Sequence, residues 1–499
     1  MFSKPLSTYI DNLNDDSLLT IFYLCRPILF DEDEHGRIDW EDWGPRQCWW
    51  YKFVKVCRRW RYLILASTGH LGICFLCTPG TPIADILAHS VPLPLMIDYD
   101  GLNRDLATED EEGIMLALQH RDRLRCIRLE MPVLTLEKFL AAMDGEFPIL
   151  EFLQIEPPMD PDSGLILPST FQAPQLRHLI LDCITSPIGS PLLASATALV
   201  TLVLQLVRPY PHANHVLQIL SRLSQLETLL IEFPPPVLNH DFERELLHMP
   251  IITQVTLPSL HWFSFWGISA YLEALLPYMT TPLLQTFIIH FFNQPGFSVS
   301  RLLQFLTTTK NLRFSSTKFL FHDEEVAAFV YSHVGDRVSK FNVEVICEHL
   351  DSQVSSMAQI FNVLSPLFST VMDLTLDYKV QNSLSEWRNE ADRTKWRQLL
   401  RSFRNVKTLR VHHGLVGELS RSLRSDGEPP LEILPELKGL ICPAGSLDDG
   451  AFTTFIHERG VAGHHVNLIG EAFPVGRTSY KLFSPTRVYY IDPDPVPPR

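Results

Sequence analysis

An acidic stretch near the N-terminus has residue types and a spacing that could bind calcium. Within Pro27–Cys48, six residues occupy positions 1, 3, 6, 8, 9 and 12 of a twelve-residue calcium-binding pattern: Asp31, Asp33, Gly36, Ile38, Asp39 and Asp42. Such loops bind calcium through carboxylates and end in a glutamate that chelates with both oxygens. Here position 5 is His35, and position 12 is the shorter Asp42. We therefore favour a solvated acidic loop over a calcium site, and expect no bound metal.

Cysteine and histidine pairs are the other candidate metal ligands. Cys74 and Cys77 form a lone CxxC with apolar neighbours, which favours buried core cysteines over a zinc site. The pairs His412–His413 and His464–His465 lack a second ligand at helical spacing, so surface or strand positions are expected. Phosphate-binding loops, GxSxG and HExxH are absent from the sequence, so the chain offers no residues for catalysis or for a cofactor.

Composition narrows the class of protein. The 499 residues carry a formal net charge of -15, which argues against general nucleic-acid binding because phosphate contacts need a basic surface. Nine cysteines, an odd number in a long chain, predict reduced thiols rather than a disulfide framework. We find neither a signal peptide nor an apolar run of membrane-spanning length, and expect a soluble cytoplasmic or nuclear protein.

A short apolar pattern, apolar-x-x-apolar-x-apolar, repeats along the middle of the chain. Its eleven units begin at Leu124, Leu150, Leu176, Leu199, Leu226, Ile252, Leu284, Val338, Val371, Val406 and Leu437. The first six starts are 26, 26, 23, 27 and 26 residues apart, and the 54-residue gap before Val338 has room for a degenerate unit at Lys318–Phe321. This period is typical of a leucine-rich-repeat solenoid, because a strand and its helix bury their apolar edge only by stacking.

The predicted fold class is therefore α/β, with a parallel concave sheet and helices on the convex side. Helices are indicated at Leu134–Met143, His215–Leu223 and Trp396–Phe403 by apolar residues at three- and four-residue spacing. We assign residues 121–470 to the solenoid, 76–120 to a linker with the first capping elements, and 471–499 to a proline-rich, flexible tail. A compact α/β domain with evenly spaced strands is the less favoured alternative.

Strand alternation points the fourth and sixth residues of each unit inward, and the third, fifth and seventh outward onto the concave face. Six of the eleven seventh positions are acidic: Glu130, Glu156, Asp182, Glu232, Glu344 and Asp377. We expect this acid row to lie along one edge of the concave face, where it would attract a basic segment of a protein substrate. The alternative is that these acids only keep the strand ends soluble. Trp262–Trp266 (WFSFW) interrupts the pattern, as an irregular repeat or as an aromatic contact for a partner.

Two amphipathic helices are predicted before the repeats. The first begins near Asn14–Asp16 and carries an apolar stripe of Leu18, Ile21 and Phe22. The second spans Trp49–Leu65 and includes VCRRWRYL, whose arginines lie mostly off the stripe that contains Val56 and Trp60. So small a helical unit has a marginal core and would gain stability from the apolar surface of a partner.

LNDDSLLTIF (Leu13–Phe22) followed by VCRRWRYLIL (Val56–Leu65) resembles an F-box joined to leucine-rich repeats. The resemblance covers a module at residues 1–75, with the acidic stretch 27–48 as an insertion. The sequence departs from the family pattern at Asn14, where proline is usual, at Ser17, where an aliphatic residue is usual, and at Gly72, where a tryptophan often follows the leucine.

This resemblance implies a non-catalytic substrate receptor of an SCF-type (Skp–cullin–F-box) ubiquitin ligase. The F-box would dock on the Skp linker subunit, and the repeats would hold the protein to be ubiquitinated. The linker interface or its supporting core would be formed by Leu13, Leu18, Ile21, Phe22, Val56 and Trp60. The alternative is a repeat scaffold or sensor whose degenerate F-box acts outside a ligase.

Overall fold

The structure is a computed structural model that describes residues 13–25, 49–89, 92–100, 106–158, 164–235, 251–312, 314–334, 337–378, 391–424, 431–444, 450 and 452–471. The candidate calcium loop Asp31–Asp42, with nearly all of the insertion 27–48, lies outside the described residues, and so do residues 472–499 of the predicted tail.

The described part of the chain has a mixed α/β architecture built on one large, mainly parallel sheet of sixteen strands. Its first strands are β1 (Phe75–Cys77), β2 (Leu95–Asp100), β3 (Leu124–Glu130), β4 (Phe152–Glu156), β5 (His178–Asp182), β6 (Thr201–Gln205), β7 (Thr228–Glu232), β9 (Trp262–Gly267) and β11 (Thr286–Phe292). The remaining strands are β12 (Ser316–Phe321), β13 (Glu325–Val334), β14 (Arg337–Ile346), β15 (Asp373–Tyr378), β16 (Thr408–Val411), β17 (Gly439–Pro443) and β18 (Asn467–Glu471). Two further short strands, β8 (Val255–Thr256) and β10 (Met279–Thr280), pair only with each other. Strands β1 and β2 belong to the large sheet, which therefore begins before residue 121.

Helices alternate with most of these strands. Those before β3 are α1 (Asp15–Leu24), α2 (Tyr51–Val54), α3 (Arg58–Ala66), α4 (Thr68–Leu71), α5 (Ile83–His89) and α6 (Thr108–Gln119). Those after β3 are α7 (Val133–Ala142), α8 (Pro191–Ser195), α9 (Ala213–Leu220), α10 (Ser269–Leu275), α11 (Ser300–Thr308), α12 (Leu350–Leu364), α13 (Arg393–Leu400), α14 (Val416–Ser422) and α15 (Thr453–Val461). Repeated strand–helix units along one sheet are compatible with an α/β solenoid.

One continuous apolar core runs along the sheet and is formed by the inward residues of its strands together with the helices. In β5, for example, Leu179 and Leu181 are fully buried in this core, and in α9 Val216, Leu217 and Leu220 join it. The residues that alternate with the inward positions form the opposite face of the sheet. We call this the outer face; it is the face predicted to be concave.

The order of the strands departs from the sequence order at one place. Strand β11 is followed in the sheet by β14, β13, β12 and then β15. Strand β12 contains the degenerate unit predicted at Lys318–Phe321, but it pairs with β15, and β13 runs antiparallel between β12 and β14. A three-stranded meander thus replaces one step of the regular repeat, a long-range pairing that the periodicity does not encode.

Two local predictions were wrong. The unit starting at Ile252 supplies only the short strand β8, and its place in the large sheet is taken by WFSFW, which forms strand β9 between β7 and β11 and so agrees with an irregular repeat. The helix predicted over Trp49–Leu65 is broken into α2 and α3. The break lies at Cys57, which has an extended backbone (φ -157°, ψ 171°) and whose Sγ accepts a hydrogen bond from the Trp60 N–H. Cys57 therefore caps a new helix instead of continuing the old one.

Candidate functional site

The N-terminal helices have a small core of their own. Its buried members include Leu18, Phe22, Leu63 and Ile64. The Phe22 ring lies 4.9 Å from the Trp60 ring, at an edge-to-face angle that suits aromatic pairs. Helix α1 begins as predicted, because the side chain of Asn14 accepts a 2.8 Å hydrogen bond from the Ser17 N–H. Phe75 of β1 packs against both this core and the main core, which links the module to the sheet.

Arg59, one of the three arginines of VCRRWRYL, joins the two predicted halves of the module. Its guanidinium donates to the Asp15 carboxylate at 2.6 and 3.0 Å and to the Leu13 carbonyl at 2.6 Å. A planar guanidinium suits this arrangement because its donors are arranged in a fork. Arg61 donates to the Val54 carbonyl at 3.0 Å and so closes the turn between α2 and α3. Two of the three arginines thus form hydrogen bonds within the module.

The surface of the module exposes an unusual number of large apolar side chains. Thirteen large hydrophobic residues of the described chain are exposed, and six of them belong to the module. They lie on α1, on α2, in the turn after α2 and on α3: Ile21, Tyr23, Leu24, Tyr51, Val56 and Tyr62. We call these six residues the apolar face. Leu24 is 75% exposed and Val56 is 59% exposed. Large exposed apolar groups concentrated in one small unit mark an interaction site more often than the same groups scattered singly.

The residues expected at the linker interface divide into two groups. Leu18 and Phe22 are buried, and Leu13 and Trp60 are half-buried, so these four support the core of the module. Ile21 and Val56 are exposed and belong to the apolar face. Val56 was expected on the same helical stripe as Trp60, and the break at Cys57 turns it outward instead.

The second candidate site is the acid row on the outer face. Strand register brings Glu130 directly beside Glu156, and Asp182 beside Gln205. Further along the sheet, Glu232 is registered with Trp266, which takes the place of Pro258, the seventh residue of the unit that starts at Ile252. The row continues through His290 and Glu344, and Asp377 lies beyond the meander, level with Leu320.

Most of the acid row is buried, which the sequence did not predict. Glu130, Asp182, Glu232 and Glu344 are between 1% and 8% exposed, while Glu156 and Asp377 are half-buried. Burial raises the pKa of Glu232 to about 8 and that of Asp182 to about 6, because a charged carboxylate is poorly solvated there. Burial and a hydrogen bond with Glu156 raise the pKa of Glu130 to about 8. Acids that only kept strand ends soluble would be exposed.

The middle of the row contains one close histidine–carboxylate pair. His290 Nδ1 lies 2.9 Å from Glu344 Oε2, and the His290 ring stacks on Trp266 at 4.5 Å between centroids. Burial alone would lower the pKa of His290, but Glu344 and Glu232 raise it above its ordinary value. Glu325 on β13 is a third acid here that sequence reasoning missed, and burial raises its pKa to about 7. No repeat position marks Glu325, because β13 is the antiparallel strand.

The two ends of the row already hold cations. Arg128 contacts Asp98 at 3.4 Å and Glu130 at 3.2 Å. At the other end, the Asp377 carboxylate lies 2.7 Å from Lys318 Nζ and 3.3 Å from His412 Nδ1.

The remaining candidates behave as structural residues. Cys74 and Cys77 are both buried and pack in different apolar clusters, Cys77 in the main core and Cys74 on the outer face. His464 and His465 are exposed. Among the residues that the structure describes, no group of three or more His, Cys, Asp or Glu is placed to hold a metal ion. Within the same residues, no helix is both long and apolar enough to cross a membrane.

No protein-family model matches the chain, and no curated protein matches it significantly.

Proposed function

We propose that this chain is the substrate-recognition adaptor of an SCF-type ubiquitin ligase. The N-terminal module is then an F-box that docks on the Skp linker subunit, and the sheet is a leucine-rich-repeat solenoid whose concave face binds a protein substrate. The adaptor is non-catalytic and acts in the cytoplasm or nucleus by bringing the substrate close to the ligase, which raises its effective concentration.

The apolar face is the observation that carries this proposal. Ile21 and Val56 belong to the linker positions implied by the F-box resemblance, and both are exposed on a module directly before a repeated sheet. Burying such side chains against a partner contributes roughly 25 cal/mol per Å² of apolar surface.

Two of the three departures from the family pattern have local explanations. Asn14 caps α1 through its side chain, so the helix start does not need the usual proline. Gly72 has a φ of +64°, a left-handed conformation that would strain a tryptophan at this position. Both substitutions therefore preserve the fold of the module.

Co-purification with the linker and cullin subunits tests the proposal. We expect the wild-type chain to capture both, and Ile21→Asp and Val56→Asp to abolish capture without lowering the thermal midpoint of the sheet. Leu134→Asp is a matched control, because Leu134 is 77% exposed on α7, outside the module. Failure of the wild-type chain to bind the linker would leave the scaffold or sensor alternative.

A further inference from the structure

Among the buried polar atoms of the outer face that have no partner in the described chain, acceptors outnumber donors, which are Trp262 Nε1, Trp266 Nε1 and Arg128 Nε. Four residues of strands β5, β7, β4 and β14 each have a buried side-chain oxygen without a hydrogen-bond donor in the described chain: Asp182 Oδ1, Glu232 Oε2, Gln154 Oε1 and Asn342 Oδ1. Glu344 adds a fifth, since its Oε2 lies against His290 while its Oε1 has no donor there. Each of the five residues is at most 8% exposed. Leaving a buried acceptor unmatched is costly, so this face is suited to a ligand that brings donors.

The shortage is greatest in the middle of the row. Arg128 and Lys318 serve the ends of the row, where Arg128 holds Asp98 and Glu130, and Lys318 holds Asp377. Between them the described base is His290, which lies against Glu344 Oε2 and near Glu232, and the hydrogen-bonding neighbour of Glu232 is the neutral Gln205. A cation bound beside Glu232 and Asp182 would lower their pKa values, so the raised values agree with carboxylates that have no cation directly on them.

Aromatic rings lie beside these acceptors. Trp266 is registered between Glu232 and His290, and the half-buried Trp262 lies at the other end of β9. Trp266 is buried and its ring stacks on His290, so the indole that a flat cation can lie on is the half-buried Trp262. A second row on the outer face is apolar. It lies two residues before the acid row on three adjacent strands and consists of Ile180, Val203 and Leu230.

We propose that the outer face between β5 and β14 binds an arginine-containing, extended segment of the protein substrate. The inference rests on the proposed function only in taking the occupant to be the substrate. A guanidinium has N–H donors and no acceptor, so it can donate to the unmatched oxygens Asp182 Oδ1, Glu232 Oε2 and Glu344 Oε1. Arginine is favoured over lysine because its donors form a planar fork and its plane stacks on aromatic rings.

The spacing of the acids fits an extended chain that crosses the strands. From Asp182 on β5 to Glu344 on β14 there are five strand steps, which is about 24 Å at about 4.8 Å per step. An extended segment covers that distance in about seven residues, with alternate side chains on one side. Glu232 lies two steps from Asp182, within reach of an intermediate arginine.

The probe is a fluorescent peptide of about eight residues in which arginine and alanine alternate, titrated into the full-length chain and followed by anisotropy. We expect binding at low salt, with the affinity falling at least about tenfold for Glu232→Gln and for Asp182→Asn. Glu227→Gln is the matched control, since Glu227 is exposed just before β7, at the end of the strand opposite Glu232. A circular dichroism spectrum of each variant checks that the fold is retained.

Three results of this titration would overturn the proposal, and a fourth would come from a further variant. The three are no binding of the arginine peptide, equal binding by wild type and Glu232→Gln, and equal binding of spermine, which would indicate a polyamine site. A full-length variant with Arg477→Gln, Lys481→Gln and Arg487→Gln tests for competition in cis. If it binds the peptide at least about tenfold more tightly than wild type, the occupant is the C-terminal segment of this chain and not a substrate. The titration omits the linker subunit, so its failure is distinguishable from failure of the ligase-adaptor proposal.

Discussion

His290 and Glu344 are far apart in the sequence but are direct neighbours on the outer face, with Nδ1 and Oε2 2.9 Å apart. The two strands are adjacent because β14 returns to β11 after the β12–β13 hairpin. The pair lies beside two further acids, the buried Glu232 and the half-buried Glu325.

The buried acids make stability depend on pH. The folded-state pKa values of Glu232 and Glu325, about 8 and about 7, lie above the ordinary value of 4.5. Their stabilising contribution is therefore present below the ordinary value and is lost as the pH rises through the folded value. His290, with its raised pKa, acts in the same direction between its ordinary value of 6.5 and its folded value. We expect the thermal midpoint to fall from about pH 5 to about pH 8, and Glu232→Gln to reduce that fall by at least about 2 °C. A midpoint that rises over this range in calorimetry would contradict the assignment.

Gln353 should be essential for the meander. This fully buried side chain on α12 donates to the His322 carbonyl at 2.7 Å and to the Cys347 carbonyl at 2.8 Å. We expect Gln353→Met to cost about 1–3 kcal/mol for each carbonyl left without its donor. Hydrogen exchange in β13 and β14 should accelerate, whereas the exposed Gln304→Met on α11 should leave it unchanged. Equal protection in the two variants would refute this role.

Arg459 should hold the C-terminal strands in place. It is fully buried and donates to the Ile433 carbonyl at 3.0 Å and the Pro435 carbonyl at 2.8 Å. We expect Arg459→Leu to destabilise this end of the sheet by about 3 kcal/mol, because two hydrogen bonds from a charged group are lost. Limited proteolysis should then cleave near β17 and β18 earlier than in the exposed control Arg404→Leu. Unchanged cleavage times would show that the contact contributes little.

Substitution of Phe22 should unfold the module, whereas substitution of an exposed residue of the same helix should not. Its ring is fully buried against Phe53 and Trp60, so Phe22→Ala should cost about 3–5 kcal/mol. A core this small should then unfold while the sheet persists, giving an early protease-sensitive N-terminus and an unchanged main melting transition. Leu24→Ala, on the exposed side of the same helix, should leave module stability nearly unchanged. Similar protease sensitivity of the two variants would place Phe22 outside the core.

Local patterns in the sequence predicted the features that depend on neighbouring residues. Asn14 is a helix cap because its side chain reaches a backbone N–H three residues on. The repeated units become strands whose fourth and sixth residues, such as Ile127 and Leu129, enter the core because strand alternation is a property of the backbone. The break at Cys57 was missed because a stripe of apolar residues continues across it.

The sequence by itself therefore determined the repeated α/β architecture and the face on which the acids lie. Only the tertiary structure decided which strands are neighbours around the meander, and how deeply the acids are buried. Strand neighbours depend on pairing between distant segments, as with β11 and β14. Burial depends on what packs above each residue, so Glu232 is buried while the seventh residues Glu156 and Asp377 are only half-buried. That difference turns a simple row of charges into a buried site that lacks hydrogen-bond donors.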